Sequence, residues 1–162
     1  MTKPGSTFWQ LLGGAAFAIA LLPSPGQAQT GPFASLVGEW SGAGHILVKD
    51  GREAIRCRAT HTVAATGSGL NQVLRCASDS YRFDLTTKVT ASGDTIAGNW
   101  NETSRNINGT ISGSIKQGNI DALVEANGFA ASMSMRVSGN KQTIAIRSQS
   151  TDLRGVDITM TR

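Results

Sequence analysis

The sequence is poor in charge, in aromatic rings and in cysteine. Charged residues make up 16% and aromatics 6% of its 162 residues, with 2 cysteines, 2 histidines and 4 prolines. So little charge excludes a disordered, self-repelling tail protein. The 15 basic and 11 acidic residues, a formal net charge of +4, are too evenly balanced for a dedicated nucleic-acid binder. Two cysteines without clustered histidines do not make a zinc site. The length suits one domain, and no stretch of helical or heptad periodicity is long enough to suggest a bundle or coiled coil.

Long apolar runs are also absent, with one exception near the start. Leu11 to Leu22 is apolar, preceded by Lys3 and followed by Pro23-Ser24-Pro25 and Gly26-Gln27-Ala28. That order reads as a secretory signal peptide over residues 1–28, cleaved after Ala28. The run covers about 12 residues, short of the roughly 20 that a spanning helix needs, so no transmembrane anchor is expected after processing. No cysteine follows it, which excludes a lipoprotein anchor. Export to an oxidising compartment makes a disulfide the expected state of Cys57 and Cys76.

The rest, residues 29–162, reads as a single all-β domain. After Phe33, short alternating segments are broken by Gly, Asn and Asp roughly every 10 to 12 residues. Two-residue turns fix which residues face each other. A turn at Asp50-Gly51 pairs Ile46 with Ile55, Gly44 with Cys57 and Trp40 with His61. Thr66-Gly67 sets Cys57 opposite Cys76 and His61 opposite Gln72, and cross-strand neighbours have the separation a disulfide requires. A loop over Ser78 to Tyr81 puts Cys76 against Phe83 and Arg75 against Asp84. Ser92-Gly93 pairs Val89 with Ile96, and Ser104-Arg105 pairs Trp100 with Gly109. Turns at Gln117-Gly118, Asn127-Gly128 and Gly139-Asn140 pair Ile115 with Ile120, Ala122 with Met133, and Met135 with Ile144. Val156, Ile158 and Met160 form a last strand.

The result is an antiparallel up-and-down meander of about ten strands with one apolar face. Closing it into a barrel hides that face and removes the edges. A two-sheet β-sandwich is the alternative. Inward Gly42, Gly44, Gly98, Gly109, Gly113, Ala122, Ala126 and Ala131 make room for Trp40, Phe83, Trp100 and Phe129.

The stretch Phe33-Ala34-Ser35-Leu36-Val37-Gly38-Glu39-Trp40 resembles the opening of calycin-type barrels, which include lipocalins, fatty-acid-binding proteins and nitrobindin-like proteins. The resemblance implies that Trp40 plugs one end of the barrel and that a basic residue of the last strand, here Arg162, lies across it. His61 and Gln72 fall at the same end. The repeated Gly-rich strands, such as Thr95 to Trp100, resemble small exported proteins of Gram-negative bacteria, which implies a periplasmic or secreted location.

Catalytic chemistry is thinly represented. His45 faces outward, and His61 faces inward beside Trp40 and Gln72 without an acidic partner, so no triad forms. Heme ligation in the nitrobindin-like manner needs a histidine near the C-terminus, where this chain has Met160. Glu102 is the acid that the register turns inward, close to a strand end. No phosphate loop, metal cluster or spaced Ser/Lys pair is present. No catalytic residue, metal or cofactor is assigned. Arg56, Arg58 and Arg75 share the outer face, with Arg58 opposite Arg75, a like-charge pair that an anion or Asp84 could relieve.

The reading is therefore a non-enzymatic exported barrel that binds a small apolar or amphipathic ligand or lipid. Phe83, Trp100, Phe129, Met133, Met135 and Ile146 would line its interior. The rival is a protein-interaction module of the envelope, such as a protease inhibitor or structural factor.

Overall fold

The computed structural model describes residues 30–149 and 152–162, so the expected leader over residues 1–28 lies outside the described residues. A short 3-10 helix, Ala34–Leu36, precedes ten strands: β1 (Gly38–Val48), β2 (Gly51–Val63), β3 (Gly69–Ala77), β4 (Arg82–Ser92), β5 (Thr95–Glu102), β6 (Ile107–Lys116), β7 (Asn119–Ala126), β8 (Phe129–Ser138), β9 (Lys141–Ser148) and β10 (Leu153–Thr161). Each strand pairs antiparallel with its sequence neighbours, and β10 returns to pair with β1. The sheet is a closed barrel, which overturns the sandwich alternative.

The strands follow from period-two patterning. In β2, Ile55, Cys57, Ala59, His61 and Val63 are buried, while Arg56, Arg58, Thr60 and Thr62 between them are exposed. No proline occurs after Pro32, so no ladder donor is missing from any strand.

Most hairpins pair as their turns imply. Cys57 faces Cys76, Trp100 faces Gly109, Ile115 faces Ile120, Ala122 faces Met133, and Met135 faces Ile144. Two registers differ from expectation by two residues. In the first hairpin Val48 pairs with Gly51, so Ile46 faces Glu53, Gly44 faces Ile55, and His61 faces Gly38 rather than Trp40. In the β4–β5 hairpin Ser92 pairs with Thr95, so Val89 faces Gly98 and Ala91 faces Ile96. There Gly93 is the first central residue of the turn, at φ 59°, a position that glycine fills without steric cost. A shift of two keeps every side chain on its expected face.

Closure is tight at the seam. A Cβ built on Gly44 would lie 1.8 Å from the Asp157 carbonyl oxygen of β10, and one on Gly42 would lie 2.0 Å from that of Thr159. Glycine is required here by the approach of the neighbouring backbone. Inside the barrel, the disulfide Cys57–Cys76 joins β2 to β3, and both cysteines are buried.

Two stability outcomes follow. Gly44→Ala should destabilise the fold by more than about 2 kcal/mol, because backbone must move. Gly128→Ala meets nothing within 4 Å, so it should cost only the roughly 1–2 kcal/mol of its left-handed backbone at φ 74°. Urea denaturation of both variants measures the difference, and equal losses would contradict a steric seam. Replacing both cysteines with serine should cost about 3 kcal/mol by the chain-entropy estimate. An unchanged denaturation midpoint would show that the cross-link does not constrain the unfolded chain.

Candidate functional site

The two ends of the barrel are built differently. One is sealed by the segment before β1. Leu36 and Phe33 are fully buried there, and the Leu36 carbonyl accepts two side-chain bonds, from Trp40 Nε1 at 2.8 Å and from His61 Nδ1 at 3.2 Å. The carbonyls on either side are taken by Arg162. Its Nη1 donates to Ser35 O at 3.2 Å and to Val37 O at 2.8 Å, while its guanidinium carbon stands 4.9 Å from the centre of the Trp40 ring. Carbonyls left open at the end of a 3-10 turn are thus satisfied by three side chains, two from β1 and β2 and one from Arg162, just after β10.

Trp40, His61 and Arg162 come together at this end. Gln72 is the cross-strand partner of His61 but contributes no hydrogen bond to this cluster. Gln142 of β9 is a member that sequence reasoning missed. It is fully buried and donates through Nε2 to Met135 Sδ at 2.9 Å, which places Met135 in the closed end rather than at the mouth. An inward polar residue at period-two spacing was the available signal.

Because a carbonyl only accepts, His61 carries its proton on Nδ1, and its buried Nε2 has no hydrogen-bond partner. Burial pushes the imidazole pKa down from 6.5 to about 4, against the opposing effect of the Leu36 carbonyl. His61 is therefore neutral at physiological pH and serves the plug.

The opposite end carries no such seal among the described residues. Inward Phe83, Trp100, Val124, Phe129, Met133 and Ile146 are only partly buried, and Ile107 at the start of β6 is 41% exposed. Trp100 lies against the bare backbone of Gly109, and its buried Nε1 has no hydrogen-bond partner. At the rim Tyr81 stacks on Phe83 with ring centres 6.2 Å apart, and Arg105 covers the Phe83 ring at 5.3 Å.

Two carboxylates tie the rim loops. Glu102 accepts from the amides of Asp84, Ser104 and Arg105 at 3.1, 3.3 and 2.7 Å, and from the Ser104 hydroxyl at 2.5 Å. Burial by itself would raise its pKa, but these donors outweigh that and hold it below the usual carboxylate range. Glu53 also sits on the inward face, so Glu102 is not alone as expected. Hydrogen bonds from Ser78 and from the Ser80 amide, the latter at 2.8 Å, hold Glu53 below the usual range too. Both acids are committed to loop structure.

Two grooves of about 410 Å³ lie on the outer wall. One is bordered by Ala43, His45, Ser134, Thr143, Ala145 and Asp157, the other by Thr86, Lys88, Asn99, Asn101 and Asn108. His45 faces Asp157 across the seam, but Asp157 is held by Arg147 at 2.6 Å. Ser134 is two strands beyond Asp157, so these three residues do not line up as a triad.

No protein-family model matches the sequence, and no curated protein is similar to it in sequence. Solved structures do resemble its fold. The crystal structure of Rv2717c from M. tuberculosis matches with a TM-score of 0.64 at 10% identity, covering 79% of this chain and 92% of that one. The S-type phycobiliprotein lyase CpeS from Guillardia theta matches with a TM-score of 0.56 at 10% identity, covering 80% and 89%. Both are ten-strand barrels of calycin type. The fold is calycin-like. At this identity the likeness concerns architecture alone.

The burial of His61 at the closed end makes a pH prediction. Unfolded His61 takes up a proton near pH 6.5, whereas the folded chain resists until about 4. The stability linked to His61 is thus complete above pH 6.5 and is lost as the pH falls toward 4, by roughly 3 kcal/mol. In His61→Gln, which retains a donor for Leu36, stability should vary less over that interval. An unchanged pH profile in this variant would show that His61 does not set it.

Proposed function

We propose that this protein is an exported, non-enzymatic barrel that holds a small apolar or amphipathic molecule at its open end. One observation carries the reading: the apolar inner face is sealed at the Trp40 end and left partly exposed at the other, around Phe83, Trp100, Phe129, Met133 and Ile146. Fully covering a large apolar side chain is worth about 1.5–3 kcal/mol, so an apolar molecule resting there gains what the fold leaves unclaimed. The described grooves are on the outer wall, so the ligand would sit on a shallow floor rather than in a deep pocket. The disulfide supports an oxidising compartment, periplasmic or extracellular, and the signal-like sequence over residues 1–28 supports export.

One structural neighbour bears the name lyase, so the fold by itself does not exclude catalysis. The non-enzymatic reading rests instead on Glu53 and Glu102, whose acceptor capacity is spent on rim loops. The outer grooves favour a second reading, an envelope interaction module that presents its wall to another protein.

Fluorescence of N-phenyl-1-naphthylamine, a neutral apolar dye, tests the mouth. Its emission should rise on mixing with the protein. Met133→Glu at the mouth should weaken binding at least tenfold, because it sets a charge in the apolar site. Ala43→Asp on the outer wall should leave binding unchanged. Absence of enhancement, or sensitivity only to Ala43→Asp, would move the site away from the mouth.

A further inference from the structure

The outer wall over β2, β3 and β4 carries five arginines at outward positions: Arg52, Arg56, Arg58, Arg75 and Arg82. Their cross-strand neighbours are mostly short. Arg58 stands between Ser41 and Arg75, Arg56 between Ala43 and Ala77, and Ala77 in turn faces Arg82. Asp84 is the acid paired to this field, 3.6 Å from Arg75 and 3.2 Å from Arg82. Arg56 and Arg58 have no carboxylate partner among the described residues. Arg58 directly opposite Arg75 is a repulsive cross-strand pair.

Three strands span roughly 10 Å, and the rows from Arg52 to Arg58 add roughly 20 Å along the barrel. That field is wider than a single phosphate, and none of its five arginines borders either groove. Arg75 and Arg82 are 76% and 77% exposed. Arg82 opens β4 and Arg52 is near the start of β2, so the field adjoins the mouth.

We propose that this wall docks the protein on a bilayer containing anionic phospholipids, with headgroup phosphates bridging Arg58 and Arg75. A broad set of guanidiniums between small residues lets several headgroups bind side by side, each accepting a charge-assisted fork. Docking does not depend on what the mouth holds, and it brings the mouth to the lipid surface.

Vesicle co-sedimentation tests it. The protein should sediment with phosphatidylcholine vesicles containing about a third phosphatidylglycerol, and not with pure phosphatidylcholine. Arg58→Ala and Arg75→Ala should each weaken partitioning about fivefold and together roughly thirtyfold. Added salt should weaken it as well. Lys141→Ala, at the closed end, should have no effect. Both arginines are exposed, so the variants keep the fold, which circular dichroism checks. Equal binding to neutral vesicles, or equal loss with Lys141→Ala, overturns the proposal. Stabilisation by millimolar inorganic phosphate without vesicle binding would reassign the wall to a soluble phosphate compound. Binding to polyphosphate but not vesicles would reassign it to an anionic polymer.

Discussion

The rest of this barrel depends on β10 meeting β1. Until they join, a meander with one apolar face has two open edges and an uncovered oily surface. Joining them turns the two faces of the pleat into an inside and an outside. The alternation in β2 then becomes a division between core and solvent. Gly42 and Gly44 permit the join because they offer no side chain to the oncoming backbone. The same join delivers Arg162 to the plug, where it occupies the Ser35 and Val37 carbonyls. The contact most distant in sequence therefore seals both the wall and its end, and its loop-closure entropy is offset only when the whole meander is in place.

The alternation and turn residues made the strands, the inward faces and most registers legible. The first hairpin and the β4–β5 hairpin slipped by two because a glycine near a turn does not say whether it is a central residue or a paired one: Gly51 pairs with Val48, beyond the turn. Gly93 is the first central residue of its turn, at φ 59°. Such a slip leaves the faces intact, so the core survived it. The plug was legible only in its side chains. Trp40, His61 and Arg162 can be placed at one end by register, but their shared acceptors are backbone carbonyls of residues 35–37, which no side-chain pattern reveals. Gln142 was hidden for a related reason: its partner is the sulfur of an apolar residue, Met135.

The barrel's asymmetry along its axis is chemical as well as geometric. At the closed end, polar atoms serve packing, and His61 is kept neutral by burial. At the mouth, Glu53 and Glu102 stay ionised because loop donors gather around them, which fixes the rim without sealing it. A hydrogen-bonded rim thus stands beside rings that are only partly covered. In a fully sealed barrel, those rings would have been capped as Trp40 is. Architecture shared at 10% identity supplies the frame, and these residues decide what the frame presents.

The arginine wall gives that presentation a direction. In water, two exposed charges about 5 Å apart repel by less than about 1 kcal/mol, and salt reduces this further. The Arg58–Arg75 pair is therefore tolerated without a compensating contact. Asp84 relieves Arg75 and Arg82 but stands on the far side of Arg75 from Arg58, so the inner part of the field stays uncompensated. An anion between Arg58 and Arg75 would add two attractions that outweigh their repulsion, a larger gain than it would make at a lone arginine. The wall is thus stable when bare and selective for surfaces that carry several phosphates at strand-to-strand spacing. The mouth opens at the end of that same wall, beside Arg82 and the Tyr81–Phe83 stack.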